Sequence, residues 1–278
     1  MSRPWLAALR PQQWVKNLAV FLPLLFAGRG LSFPDNLRVF YAFLLFCPAA
    51  SAVYLINDLA DLEGDRQSPL KRSRPLAAGR IAAGQARRVA AVLALLSGAG
   101  AFLLDPAFGR LLLAYLALNW SYSHWLKKWV VVDVACLAAS FLIRILAGGA
   151  VAGVELSRWI LLLGTLLAFF LGFGKRRQEP AAPYSVRLVD RIWWVLVPAM
   201  LVLYPLYALD ERTVRVFGSS RLVWSVPFVY AGIFRYLYLV YRRRCYADPT
   251  WILLSDRPLQ ANLLLWVAVC LAVIYWKG

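Results

Sequence analysis

Four of the chain's 14 acidic residues fall in one short stretch, Asn57-Asp58-Leu59-Ala60-Asp61-Leu62-Glu63-Gly64-Asp65. Asp58, Asp61 and Asp65 stand at i, i+3 and i+7, a spacing that puts three carboxylates on one face of a continuing helix. Like charges on one face repel, and an apolar run just before them adds a desolvation cost, so something cationic should compensate them. Carboxylate oxygens so arranged suit Mg²⁺, a hard ion that keeps several waters and bridges protein carboxylates to substrate phosphates. The bland alternative is a solvated acidic helix end paired with the bases that follow. Those bases are Arg66, Lys71, Arg72, Arg74 and Arg80. Guanidinium forks and ammonium groups supply the donors that phosphate oxygens need, so acids and bases together describe a pocket for a phosphorylated ligand.

The elements that must position this pocket are membrane helices. Of 278 residues, 62% are hydrophobic and 16% charged, which suits a lipid-facing surface and not a soluble domain. The apolar runs recur along the whole chain without a linker-like segment, which predicts a single transmembrane domain over residues 1–278. Nine runs are long enough to span a bilayer once thinning and snorkelling are allowed. They cover approximately residues 15–27, 39–59, 88–104, 110–123, 130–152, 159–173, 192–209, 222–241 and 259–276, the first and fourth being short. The acidic stretch sits at the end of the second.

A net charge of +17 could suggest nucleic acid. The Lys and Arg instead form short clusters between apolar runs, and no soluble module remains to bind a nucleic acid. Alternate connections are rich in them: Lys71, Arg72 and Arg74; Lys127 and Lys128; Lys175, Arg176 and Arg177; Arg242, Arg243 and Arg244. The intervening connections hold scattered residues such as Arg29 and Lys277. This alternation predicts a multi-pass protein of a bacterial-type plasma (inner) membrane, with the N-terminus and the acidic loop cytoplasmic and the C-terminus outside. The first run ends in Phe26-Ala27-Gly28-Arg29 without a small-x-small cleavage site and reads as a retained helix. Cys47, Cys136, Cys245 and Cys270 lack the spacing of a disulfide framework or a zinc site. Arg144 and Arg235 fall inside predicted spans, where a charge must face a cavity or find a partner; the alternative is a structural ion pair or snorkelling. His124, beside Trp120 and Trp125, reads as an interfacial residue, and Gly148, Gly149 and Gly153 as positions of close helix packing.

Asn57, Asp58, Asp61 and Asp65 reproduce the N-D-x-x-D-x-x-x-D signature of the UbiA superfamily of intramembrane prenyltransferases, and Arg74-Pro75-Leu76 follows as in that family. The resemblance covers essentially the whole chain and implies an all-α polytopic bundle of nine transmembrane helices. Within the superfamily the chain is most similar to the decaprenyl-phosphate phosphoribosyltransferase branch. Four segments carry that likeness: Arg10-Pro11-Gln12-Gln13-Trp14-Val15-Lys16-Asn17; Tyr122-Ser123-His124-Trp125-Leu126-Lys127 with Asp133; Phe141-Leu142-Ile143-Arg144-Ile145-Leu146-Ala147-Gly148-Gly149; and Gly174-Lys175-Arg176-Arg177-Gln178-Glu179. Asp256-Arg257 aligns more weakly. Aromatic prenyltransferases of the superfamily carry a second acidic motif after the fourth helix. Here that loop offers Tyr122, Lys127, Lys128 and only Asp133, a mixed site that suits a donor with an additional phosphate.

The resemblance implies transfer of 5-phosphoribose from phosphoribosyl pyrophosphate to a polyprenyl phosphate, a step in cell-wall precursor synthesis. Mg²⁺ on Asp58, Asp61 and Asp65 would neutralise the leaving diphosphate. Asp58, Asp61, Lys127 and Asp133 would stand at the reacting centre. Lys16, Asn17, Asn57, Arg66, Lys71, Arg72, Arg74, Tyr122, Arg144, Lys175 and Arg176 would bind substrate, with Lys127 or Lys175 and Arg176 taking the 5-phosphate. An ionised lipid phosphate needs no general base, so one histidine suffices. The resemblance leaves an oligomer open. Two other readings compete: an aromatic prenyltransferase with a polyprenyl diphosphate donor, and a transporter lined by Arg144 and Arg235. The acidic cluster lies at the membrane edge and no inverted repeat is visible, which argues against transport.

Overall fold

The computed structural model describes residues 3–27, 33–178, 184–242 and 248–275, and the regular elements among them are all helical. Gly28, Arg29, Glu179, Arg243, Arg244, Cys245 and Lys277, named above, lie outside the described residues. Helices are what lipid demands, because backbone N–H and C=O groups in hydrocarbon must bond within their own segment. In chain order the α-helices are α1 (Arg3–Leu9), α2 (Leu22–Phe26), α3 (Phe33–Ala60), α4 (Leu62–Gln67), α5 (Ala83–Leu104), α6 (Pro106–His124), α7 (Val132–Ala152), α8 (Arg158–Gln178), α9 (Val186–Leu209), α10 (Glu211–Phe217), α11 (Val226–Arg242), α12 (Pro249–Ser255) and α13 (Arg257–Tyr275). Three 3₁₀ segments join them: Pro11–Phe21, Leu126–Lys128 and Ser220–Ser225.

Among the described residues seven helices are long and apolar enough to cross a membrane: α3, α5, α7, α8, α9, α11 with the 3₁₀ turn before it, and α13. The first and fourth of the nine expected spans do not meet both criteria. The first is the 3₁₀ segment Pro11–Phe21 followed by the short α2. Pro23 has no N–H to continue an α-ladder there. The fourth, α6, has 19 residues but closes on Asn119, Ser121, Tyr122, Ser123 and His124, which lower its hydropathy.

The described residues cluster into two compact units, Met1–Leu24 with Ser32–Glu155 and Leu25–Leu31 with Leu156–Gly278. In the first, α3 is central: it packs on α1, the 3₁₀ segment Pro11–Phe21, α5, α6 and α7. Its Phe46 is fully buried between Phe108 and Tyr115, with ring centroids 5.6 and 5.5 Å away. The turn from α5 to α6 is made by Asp105, whose carboxylate accepts from the N–H groups of Ala107 and Phe108, with Pro106 at the first helical position. The 3₁₀ segment lies so close to α7 that a Cβ on Gly148 would overlap the Val20 carbonyl oxygen. Gly153 ends α7 at φ 62°, a left-handed conformation that glycine adopts without cost.

In the second unit α8 packs on α9, and α11 on α13. Tyr204 hydrogen-bonds Ser225 and accepts from the Trp266 indole inside an apolar cluster with Tyr207, Phe217 and Leu222. Cys47, Cys136 and Cys270 are buried free thiols.

Candidate active site

The helical ladder through the acidic stretch persists, with Asp61 N–H donating to Asn57 and Asp65 N–H to Asp61, but α3 ends at Ala60 and α4 begins at Leu62. The face is therefore bent at Asp61 (φ −97°, ψ 3°) rather than continuous. Asp58 and Asp65 stay on one side: a single Arg74 nitrogen donates to Asp58 Oδ1 at 3.2 Å and to Asp65 Oδ2 at 2.7 Å. Asp61 stands at the N-cap of α4 yet makes no capping bond. Its carboxylate instead accepts from Asn57 at 3.2 Å and from the Lys127 ammonium. Giving up a cap forgoes about 1 kcal/mol, which the Asn57 and Lys127 contacts offset.

A third cation completes the cluster. Arg10 donates to Asp58 Oδ1 at 2.6 Å and lies over the Tyr54 ring at 5.0 Å. Its backbone is left-handed (φ 51°), an uncommon state for a side-chain-bearing residue, at the joint between α1 and the 3₁₀ segment. The second oxygen of Asp58, Oδ2, is buried and has no hydrogen-bond partner among the described residues.

Deeper in the same unit, Arg144 is paired with neutral groups. Its Nε donates to Asn17 Oδ1 at 2.8 Å, Nη1 to the Ser140 carbonyl at 2.6 Å and Nη2 to the Tyr115 hydroxyl at 3.0 Å. The guanidinium lies 4.7 Å over the Tyr115 ring. Three hydrogen bonds and an aromatic face make this buried charge tolerable within a span. From Ser140 a polar chain runs outward: Asn119 donates to Ser140 Oγ at 3.0 Å, Ser123 donates to the Asn119 carbonyl at 2.9 Å, and Ser123 Oγ stands 3.5 Å from Asn57 Oδ1.

Of the residues singled out in the sequence, Asn57, Asp58, Asp61, Asp65, Arg74 and Lys127 are thus together, and Asn17 is bound to Arg144. Asp133 is buried in the first turn of α7 and accepts from the Val134 N–H at 2.7 Å. Lys16, Lys71 and Tyr122 are half-buried, Arg72 is exposed, and Arg66 turns outward to Glu63 at 2.9 Å. Lys175 and Arg176 lie in the second unit near the end of α8. The other intramembrane arginine, Arg235, forms a bidentate pair with Asp256 at 3.1 and 2.9 Å. Among the described residues, no three His, Cys, Asp or Glu side chains converge as ready-made metal ligands.

The model of the UbiA prenyltransferase family matches residues 18–254, which run through both units. The chain belongs to this family. It is 35% identical to the decaprenyl-phosphate phosphoribosyltransferase of Mycobacterium tuberculosis over 96% of its own length and 93% of that protein's. The counterpart from Corynebacterium glutamicum is 35% identical over 96% of this chain and 86% of its own. The fold is that of a UbiA homolog from Archaeoglobus fulgidus solved with DMAPP and Mg²⁺, at a TM-score of 0.70 and 21% identity over 97% and 98% of the two chains.

As a UbiA family member the chain is a membrane-embedded transferase. Arg10, Tyr115, Asn119, Ser123 and Ser140 were not singled out as site residues. Arg10 and Ser123 had a signal, since they stand in the Arg10-to-Asn17 and Tyr122-to-Lys127 segments; Tyr115, Asn119 and Ser140 are ordinary polar residues in apolar runs, and only packing reveals their contacts.

Proposed function

We propose that this chain transfers 5-phosphoribose from phosphoribosyl pyrophosphate to a decaprenyl-type polyprenyl phosphate and releases diphosphate. An oxygen of the lipid phosphate bonds to the anomeric carbon of ribose as the bond from that carbon to the diphosphate oxygen breaks. The observation that carries the reading is Lys127 on Asp61: the loop after α6 brings a cation, where an aromatic prenyltransferase would bring more acid, onto the acidic motif. The similarity to phosphoribosyltransferases over 96% of the chain supports the same donor.

Although no preformed trio of ligands converges among the described residues, the carboxylates fit the chemistry of Mg²⁺, an ion that keeps several waters. Asp58 Oδ2 is a buried acceptor without a donor, a costly state that a cation relieves. Asp58, Asp61 and Asp65 would hold the ion, which when bound supplies charge neutralisation on the departing diphosphate. Arg10, Arg74 and Lys127 supply positive charge for the phosphate oxygens in a partly dehydrated site. Lys175 and Arg176 are further candidates for the 5-phosphate, and Asp133 orders the start of α7 behind the Lys127 loop. The cytoplasmic side of a bacterial-type inner membrane is where both charged substrates would meet this site.

The test is incubation of purified protein and Mg²⁺ with phosphoribosyl pyrophosphate and decaprenyl phosphate, with geranyl diphosphate as the competing donor. Lipid-linked phosphoribose is expected. Turnover of the prenyl donor alone would replace this reading with an aromatic prenyltransferase.

A further inference from the structure

Three carboxylates and three cations of the first unit pair among themselves: Asp58 with Arg10 and Arg74, Asp65 with Arg74, Asp61 with Lys127. The set is electrically balanced. A divalent cation arriving alone would leave it strongly positive and would compete with Arg74 and Arg10 for the same oxygens. The same cation arriving with a diphosphate keeps the balance, since each displaced guanidinium gains a phosphate oxygen.

The two sides of the cluster differ in freedom. The side chains of Asp58 and Asp65 are 1% and 5% exposed, fixed on α3 and α4, whereas those of Arg10 and Arg74 are 19% and 25% exposed. Neither arginine is on a membrane-spanning helix. Arg10 lies at the left-handed joint after α1, and Arg74 in the turn-rich connection between α4 and α5. The carboxylates stay in place while the guanidinium groups can swing. Asp58 Oδ2, buried and without a partner, marks the side from which a cation is still wanted.

We propose that Arg10 and Arg74 are exchangeable counterions: they neutralise Asp58 and Asp65 until Mg²⁺ binds, then transfer to the donor diphosphate, so that metal and diphosphate bind together and the metal alone binds poorly. This rests on the diphosphate-donor reading but not on which group is transferred. It assigns Arg10 to substrate binding, and it gives both arginines a second, metal-excluding task.

The experiment titrates Mn²⁺ into detergent-solubilised protein, with the free ion read by its electron paramagnetic resonance signal. Wild type, Arg10→Gln and Arg74→Gln are compared with Arg87→Gln, which removes an exposed positive charge on α5 and controls for net charge. Arg10→Gln and Arg74→Gln should bind Mn²⁺ alone on the order of tenfold more tightly than wild type, the worth of one charge-assisted hydrogen bond no longer competing. Arg87→Gln should change it less than about twofold, as suits a screened surface charge. Thermal unfolding gives a second readout. Wild type should be stabilised by Mg²⁺ with inorganic diphosphate far more than by either alone, while Arg74→Gln should be stabilised by Mg²⁺ alone. If Arg74→Gln does not fold, Arg10→Gln still decides, because Asp58 keeps Arg74. Metal affinity in Arg10→Gln that is unchanged, weaker, or equal to that of Arg87→Gln would overturn the proposal. Failure of the phosphoribosyl reading would appear instead as absent lipid-linked phosphoribose, with these titrations unaffected.

Discussion

Replacing Lys127 by alanine separates a structural from a substrate-binding role, because the structure assigns the two roles different magnitudes. Lys127 sits in the short 3₁₀ segment between α6 and α7, and its side chain and that of Asp61 are 20% and 30% exposed. An ion pair that open to solvent contributes about 0–1 kcal/mol to stability. The lysine belongs to none of the buried apolar clusters, so its truncation leaves no cavity. The folded protein should therefore survive with its detergent unfolding midpoint nearly unchanged. If the ammonium also binds a donor phosphate, its removal forfeits a charge-assisted hydrogen bond of about 1.5–3 kcal/mol, or roughly tenfold to hundredfold in affinity. The assay is initial-rate kinetics with each substrate varied in turn. KM for phosphoribosyl pyrophosphate should rise by that factor while KM for the lipid phosphate stays within about twofold, and Lys127→Arg should recover part of the loss. A donor KM that does not move, together with a clear fall in the unfolding midpoint, would make the residue a structural partner of Asp61 and refute the argument.

Asp58→Asn and Asp61→Asn should each lower turnover on the order of a thousandfold, since several kcal/mol of charge stabilisation on the leaving group would be lost; near-normal rates in both would leave the motif a structural feature. Gly148→Ala should destabilise the first unit more than Gly153→Ala does. The first places a methyl on the Val20 carbonyl, while the second meets no atom within 4 Å and bears only the left-handed backbone cost of about 1–2 kcal/mol. Thermal unfolding in detergent ranks them, and the reverse order would contradict the packing described. Single cysteines at Ser68 and Ser73 should react with an impermeant thiol reagent only from the cytoplasmic side, and labelling confined to the outer face would reverse the proposed orientation.

Seven of the nine expected spans and the placing of Asp58 and Asp65 on one side were legible in the sequence because both are local. A run of apolar residues must become a helix in lipid, since no other partner exists for its backbone, and the i, i+7 spacing of Asp58 and Asp65 puts them on one side whatever surrounds them. That spacing survived even the break at Asp61, as the shared Arg74 contact records. The need for compensating cations was also legible, from charge repulsion alone. Which cations answer it was decided by tertiary structure. Arg10 reaches Asp58 across 48 positions and Lys127 reaches Asp61 across 66, and no local rule relates such distant residues. The two arginines inside spans make the same point. Both carry the same cost in lipid, yet Arg235 is answered by Asp256 and Arg144 by Asn17, Tyr115 and Ser140. The first segment had the composition of a short span, but in the folded protein it runs as a 3₁₀ segment packed closely on Gly148 of α7, more than a hundred residues away. Composition and spacing set what each segment must satisfy; the packing of α3 against its neighbours determines which side chains are near enough to satisfy it.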